Sequence, residues 1–267
     1  MNLKSAIDEL ATLAARAPSR EGEVRLEETA PVAHLRFSNP SARNAFTLDM
    51  MSELGRCVKR LQGSHSSAYV VLSSPSAEVF CAGGDLRQVS EVLQNADDAY
   101  RMSVAMQTVL HALAALPIVS VAAIDGAAIG GGAELAVACD LRVAGPASSL
   151  RFVQTRLGIA PGWGGSRFLG RHIGEGRSLA VLTAGGTILP TYDPAGLFCR
   201  TAVGDIATVD DVIGCDAVPM ASVRAVKAQI VTARGSLDDP IERDARAFAG
   251  RWRSPEHVAA LTRWNQR

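Results

Sequence analysis

An α/β architecture with crossover connections is what this sequence predicts, and three observations carry the prediction. Short apolar runs of strand character, VAHLRFS, AYVVLSS and PIVSVAAI, alternate with longer stretches whose apolar residues recur at helical spacing. Two glycine-rich turns, FCAGGD at 80 to 85 and IGGGAEL at 129 to 135, stand where strands give way to helices. With 267 residues, 48% of them hydrophobic, the chain has enough material for one substantial core. The expected layout is a helical extension at 1–20, a core domain at 21–217 and a C-terminal helical region at 218–267.

Leu3, Ile7, Leu10 and Ala14 share one side of a helix over residues 1–16, which Ala17, Pro18 and Ser19 interrupt. It reads as a docking arm or a loose extension. EVRLEET and VAHLRFS follow as strands, and alternation in the second sets Val32, His34 and Arg36 opposite Ala33, Leu35 and Phe37. Thr47 can cap a helix reaching Leu61, with Met50, Leu54, Val58 and Leu61 on one face. AYVVLSS then reads as a buried strand, and a long helical stretch is expected over about 89–115, ended by Pro117. PIVSVAAI supplies another strand, after which a glycine turn leads into a short helix and a further strand. Later helices are expected from near Trp163, Gly176 and Val218, and the tail DPIERDARAFAGRWRSPEHVAALTRW reads as one or two more.

Lys+Arg and Asp+Glu both total 27, so a zero formal charge gives no global reason to bind nucleic acid or a membrane surface. Any phosphate affinity must be local. The five cysteines (Cys57, Cys81, Cys139, Cys199, Cys215) are scattered and odd in number, which fits a reducing cytoplasm better than a disulfide framework. The opening MNLKSAIDEL lacks the basic-then-apolar order of a secretory signal, and no apolar run reaches the roughly 18 residues of a membrane span. A soluble, cytoplasmic protein is expected. No histidine pairs with cysteine or carboxylate at metal-ligand spacing, so no metal is expected.

The chemistry concentrates in the glycine turns. Each follows a strand and precedes helical sequence, so each can present free backbone N–H groups, and Gly131 would start a helix whose dipole favours negative charge. Two such donors on one oxygen make an oxyanion hole, in which each donor lowers a barrier by ~3 kcal/mol. The alternative is packing glycine at two strand–helix junctions. Neither turn is a G-x-x-x-x-G-K-[ST] loop, which counts against phosphate cradling. Cys81, in the first turn, reads as a small buried thiol, with no base near it in sequence.

Four blocks, NPSARNAFT at 39 to 47, FCAGGDL at 80 to 86, AAIDGAAIGGGAELAVACDLRVA at 122 to 144 and LGIAPGWGGSRFLGRHIG at 157 to 174, resemble the signatures of the enoyl-CoA hydratase/isomerase (crotonase) family in order and spacing. PMASVRAVKAQI at 219 to 230 resembles a later helix, so the resemblance spans roughly residues 22 to 262. It implies a crotonase (ClpP-like) α/β fold of repeated β-β-α units, with C-terminal helices for trimerisation into a homotrimer or dimer of trimers. It implies an acyl-CoA substrate, or an acyl-carrier thioester, and no separate cofactor. By position it makes Gly84 and Gly131 the N–H donors to the thioester oxygen. Ala82 falls in the same turn, and Arg43 and Arg87 match places where the family has basic residues near the CoA phosphates; either can equally be a solvated surface arginine.

Hydratases of the family hold their water between two glutamates. The first matches Glu134, and the second position is Gln154. An amide can orient water but cannot exchange a proton at ordinary pH, so the carboxylate pair needed for hydration is missing. Glu134 itself is either a proton carrier or a structural carboxylate anchored by backbone N–H groups. GGGAEL, RFVQTRLGIAPGWGG and ERDARAFAGRWRSPEHVAAL, including Trp163 and Trp252, look most like the ethylmalonyl-CoA decarboxylase group, while residues 185 to 215 look shortened against the family. That likeness implies a lyase that removes CO2 from a malonyl-type thioester through an enolate. Such a step needs an oxyanion hole and an apolar carboxylate pocket, with Trp163 as pocket wall or as plain core. Two other readings are an enoyl-CoA hydratase/isomerase-type enzyme using Glu134 alone, and a catalytically weak scaffold of the same fold.

Overall fold

The computed structural model describes residues 1–145, 147–193, 196–201 and 218–232, with the isolated positions Pro255 and Ala259. The tail helices expected around Phe248, Trp252, Val258, Leu261 and Trp264, and residues 202–215 of the shortened segment, lie outside the described residues.

Alternation in the first two strands sets the sheet. β1 (Glu23–Thr29) and β2 (Val32–Ser38) pair antiparallel with Val24 opposite Phe37 and Leu26 opposite Leu35. Ala33, Leu35 and Phe37 are fully buried while Arg36 is exposed, as the period of two requires. β3 (Tyr69–Ser73), β4 (Val119–Ile124), β6 (Leu141–Ala144) and β9 (Arg200–Thr201) extend the sheet in the order β1-β2-β3-β4-β6-β9, all parallel after the first pair. Parallel neighbours need crossovers, and helices supply them. α2 (Leu48–Gly63) joins β2 to β3, while α3 (Leu86–Val92) and α4 (Ala96–Ala114) join β3 to β4. α5 (Gly131–Ala138) lies between β4 and β6. A small second sheet, of β5 (Ala127–Ile129), β7 (Ser149–Arg151) and β8 (Thr187–Ile188), runs in the order β5-β7-β8. A 3-10 turn at Gln154–Leu157, α6 (Gly165–Ile173), α7 (Glu175–Thr183) and α8 (Met220–Thr232) complete the described chain.

Caps decide several boundaries. The Thr47 hydroxyl accepts from the Met50 N–H at 3.1 Å, where the sequence places that cap. The helical stretch expected over 89–115 forms as two helices. Asn95 accepts from the Asp98 N–H at 2.9 Å, and this second N-cap starts α4 afresh after α3 has ended at Val92.

The N-terminal helix α1 (Leu3–Ala14) docks. Ala6, Leu10 and Leu13 are fully buried within the main hydrophobic core, against α2 and α4. Ser52 of α2 donates to the Ile7 carbonyl at 3.1 Å, and Arg16 forms a two-point pair with Asp98 at 2.6 and 2.8 Å. No helix among the described residues is long and apolar enough to cross a membrane.

Candidate active site

Hydrogen bonds zip the two glycine turns together. The Ile129 N–H donates to the Cys81 carbonyl at 2.8 Å and the Cys81 N–H to the Ala127 carbonyl at 3.3 Å, a parallel bridge between the first turn and β5. On its other side, the Phe46 N–H donates to the Gly83 carbonyl at 2.7 Å and the Asp85 N–H to the Phe46 carbonyl at 2.8 Å. Gly83 has φ 95°, and a Cβ there would lie 3.0 Å from the Gly131 nitrogen, so only glycine lets the turns meet this closely. Gly131 opens α5, where an N–H has no acceptor within the helix. Neither its N–H nor that of Gly84 has a protein partner among the described residues.

Both glycines border one cavity of about 310 Å³, whose wall includes Met51, Val89, Val153 and Trp163. The Trp163 indole lies flat against the site. A Cβ on Gly131 would come within 2.8 to 2.9 Å of three ring atoms, and one on Gly84 within 3.7 Å of a fourth. Trp163 is only 4% exposed and meets Phe46 edge-on at 6.2 Å, with Phe46 in turn 5.1 Å from Phe37. The residue is both core and cavity wall.

Glu134 sits in the first turn of α5, 2% exposed. Its Oε1 accepts from Gln154 Nε2 at 2.9 Å and from the Gly162 N–H at 3.2 Å. Its Oε2 accepts from the Trp163 N–H at 2.8 Å and the Gly165 N–H at 2.7 Å. Four donors fill the four lone-pair positions of a carboxylate. Burial pushes this carboxyl above its ordinary value, while the bonds from Gly165, Trp163, Gln154 and Gly162 pull it down. Every partner is a donor, so a carboxyl proton would find no acceptor in this cage and would displace an N–H. The arrangement suits the ionised form and ties α5 to the turn carrying Trp163.

Gln154 opens the 3-10 turn and is 5% exposed. With Nε2 committed to Glu134, its Oε1 is buried and has no protein donor among the described residues. The structure thus gathers Gly84, Gly131, Glu134, Gln154 and Trp163, drawn from three separate stretches of the sequence, around one cavity.

A second cavity of about 450 Å³ adjoins the first and shares Arg43, Ala82, Gly84 and Leu86 with it. Arg43 and Arg87 line it and are exposed. Arg20 joins them, its guanidinium 2.8 Å from Glu91, and no sequence signal marks it. The docked α1 before it and the pairing of β1 with β2 after it hold its segment at this rim. The Cys81 thiol is fully buried and pushed up to about 12 by desolvation, so it is no nucleophile.

Comparison with known proteins adds four findings. The family model for enoyl-CoA hydratase/isomerase matches residues 27–191. Ethylmalonyl-CoA decarboxylase of Gallus gallus is 31% identical over 254 residues, spanning 91% of this chain and 84% of that protein. Mitochondrial methylglutaconyl-CoA hydratase of Mus musculus is 33% identical over 170 residues, 59% of this chain and 54% of that protein. In three dimensions, enoyl-CoA hydratase from Bacillus anthracis superposes with a TM-score of 0.81 at 24% identity, covering 91% of this chain and 96% of the other; this is a likeness of fold.

Proposed function

The chain belongs to the enoyl-CoA hydratase/isomerase family, and we propose that within it the protein is a lyase that decarboxylates a malonyl-type acyl-CoA. The thioester oxygen accepts from the Gly84 and Gly131 N–H groups, and the acyl part enters the apolar cavity beside them. There the substrate carboxylate turns out of the thioester plane against the Trp163 wall. The bond to CO2 breaks and its electron pair passes into the carbonyl, where the two preorganised donors meet the growing negative charge. A desolvated carboxylate is a poorer ground state than neutral CO2, so the apolar wall acts in the same direction. Arg43, Arg87 and Ala82 at the outer cavity receive the phosphate-bearing end of CoA.

The observation that carries this reading is the Gln154–Glu134 hydrogen bond at 2.9 Å. Where hydration needs two proton-exchanging carboxylates, the cavity offers one carboxylate whose acceptor positions are all used and one amide. Decarboxylation asks for no general base. The name of the Gallus gallus relative supports the same choice. A hydratase reading draws on the Mus musculus relative and on the presence of Glu134 at the cavity, but it requires Glu134 to give up one of four donors to a water.

The test is to incubate the protein with malonyl-, methylmalonyl- and ethylmalonyl-CoA and follow CO2, and separately with crotonyl-CoA to follow hydration. CO2 release with very slow hydration is expected. Release from none of the three thioesters would remove the proposal.

A further inference from the structure

Loss of CO2 leaves an enolate that must gain a proton, and the cavity restricts where that proton can come from. Among its described lining residues the only charged side chains are Arg43 and Glu134. A guanidinium does not give up its proton in a protein. Glu134 lines the cavity but accepts from the N–H groups of Gly162, Trp163 and Gly165 and from Gln154 Nε2, so an O–H on it could face substrate only by displacing one of these donors.

Gln154 offers what Glu134 lacks. A carboxylate only accepts, so the amide must turn its NH2 toward Glu134, and its carbonyl oxygen is therefore the free end. That oxygen is buried, without a protein donor among the described residues, on a residue lining the cavity that holds Gly84 and Gly131. A buried acceptor left unmatched is costly, and a water can satisfy it. We infer that Gln154 Oε1 anchors the water that protonates the enolate carbon, and that Glu134 is a strut for the Trp163 turn, not the acid. Gln154 is thus a positioning residue acting through that water. This inference rests on the decarboxylase reading.

The step balances. One O–H of the water donates to Gln154 Oε1 and the other is aimed at the enolate carbon. As the thioester carbonyl re-forms, that second O–H breaks and a C–H bond forms on the carbon that carried the carboxylate. The hydroxide left behind combines with the released CO2 as bicarbonate. No oxidant, metal or second substrate enters. Because the water is held on one face, the new C–H forms on one face.

The experiment runs the reaction with methylmalonyl-CoA in D2O and reads CO2 release and the configuration of the CHD centre in the propionyl product separately. Wild type should yield one epimer. Gln154→Met, which removes the acceptor oxygen, should release CO2 more slowly and give a product approaching an equal mixture of epimers. Gln154→Glu, which keeps an oxygen at that position, should retain single-face labelling. A single epimer from Gln154→Met, or a mixture from Gln154→Glu, would overturn the inference while leaving the decarboxylase reading standing. Absence of CO2 from wild type would instead remove that reading. The wild-type protein gives an independent check if Gln154→Met does not fold. With no ionising donor, its single-face labelling should hold from about pH 6 to about pH 9, and loss of that face selectivity along a titration in that range would overturn the inference.

Discussion

A single methyl group distinguishes the two glycines at the cavity. On Gly131 it would lie 2.8 to 2.9 Å from the Trp163 ring, a clash that only displacement of the indole or of the α5 start relieves. On Gly84 it would sit 3.6 Å from Met51 Cε and 3.7 Å from Trp163, ordinary contact distances. Gly131→Ala should therefore lower CO2 release about 100-fold, the scale of one lost oxyanion donor, while Gly84→Ala lowers it by only a few-fold. Steady-state rates on one malonyl-type thioester compare the pair, and equal losses would show that the indole contact is immaterial. Gln154→Glu is expected to act in another direction. It would set a second carboxylate where Nε2 now meets Glu134 at 2.9 Å, and like charges so close keep one proton on the pair near neutral pH. Crotonyl-CoA hydration, followed by loss of the enoyl-thioester absorbance, should rise above the wild-type rate.

Elements meet the site through packing as much as through chemistry. α1 buries Leu10 completely on α2 and α4, and truncating it to alanine should cost about 3 kcal/mol in denaturant unfolding, within the usual range for a core leucine. Arg16, just beyond α1, adds a pH dependence. Its two-point hydrogen bond holds the Asp98 carboxyl below the ordinary carboxylate range. The unfolded chain then takes up that proton at a higher pH than the folded chain does. The stability contributed by the pair is complete above the ordinary aspartate value and is lost as pH falls through the lowered native one. Arg16→Met should accordingly lose stability at neutral pH and show a shallower decline into acid than wild type, measured by thermal melts along a pH series. The Glu134 strut operates at the same scale. Glu134→Leu would leave the Gly162, Trp163 and Gly165 N–H groups buried without an acceptor and should cost about 3 kcal/mol or more in the same melts.

For the whole molecule, the expectation concerns assembly. Leu86, Leu157 and Ile159 border the inner cavity yet are 66%, 56% and 57% exposed, so the cavity mouth carries apolar surface that a neighbouring subunit would cover. A trimer or a dimer of trimers is the expected state, and light scattering should return a mass that is a multiple of three chains. A stable monomer at micromolar concentration would contradict it.

Much of this protein was written in local sequence. Strand alternation at Val32–Ser38, the Thr47 cap and the glycine turns at 80 to 85 and 129 to 135 depend on neighbours a few residues away, so each was readable without a fold. Asn95, three residues before Asp98, was an equally local signal that the long helical stretch divides. The absence of a carboxylate at position 154 was likewise plain. The direction of a side chain among distant partners was not. Whether Glu134 carries a proton or holds a turn depends on donors 20 to 31 residues further along the chain, and the free oxygen of Gln154 depends on where Glu134 lies. Arg20 reaches the outer cavity because the docked α1 and the β1–β2 pairing hold the segment between them at its rim. Residue types and spacings determine which chemistry is available, but hydrogen-bond satisfaction in a buried site is a property of the packed whole, and only tertiary structure decided it.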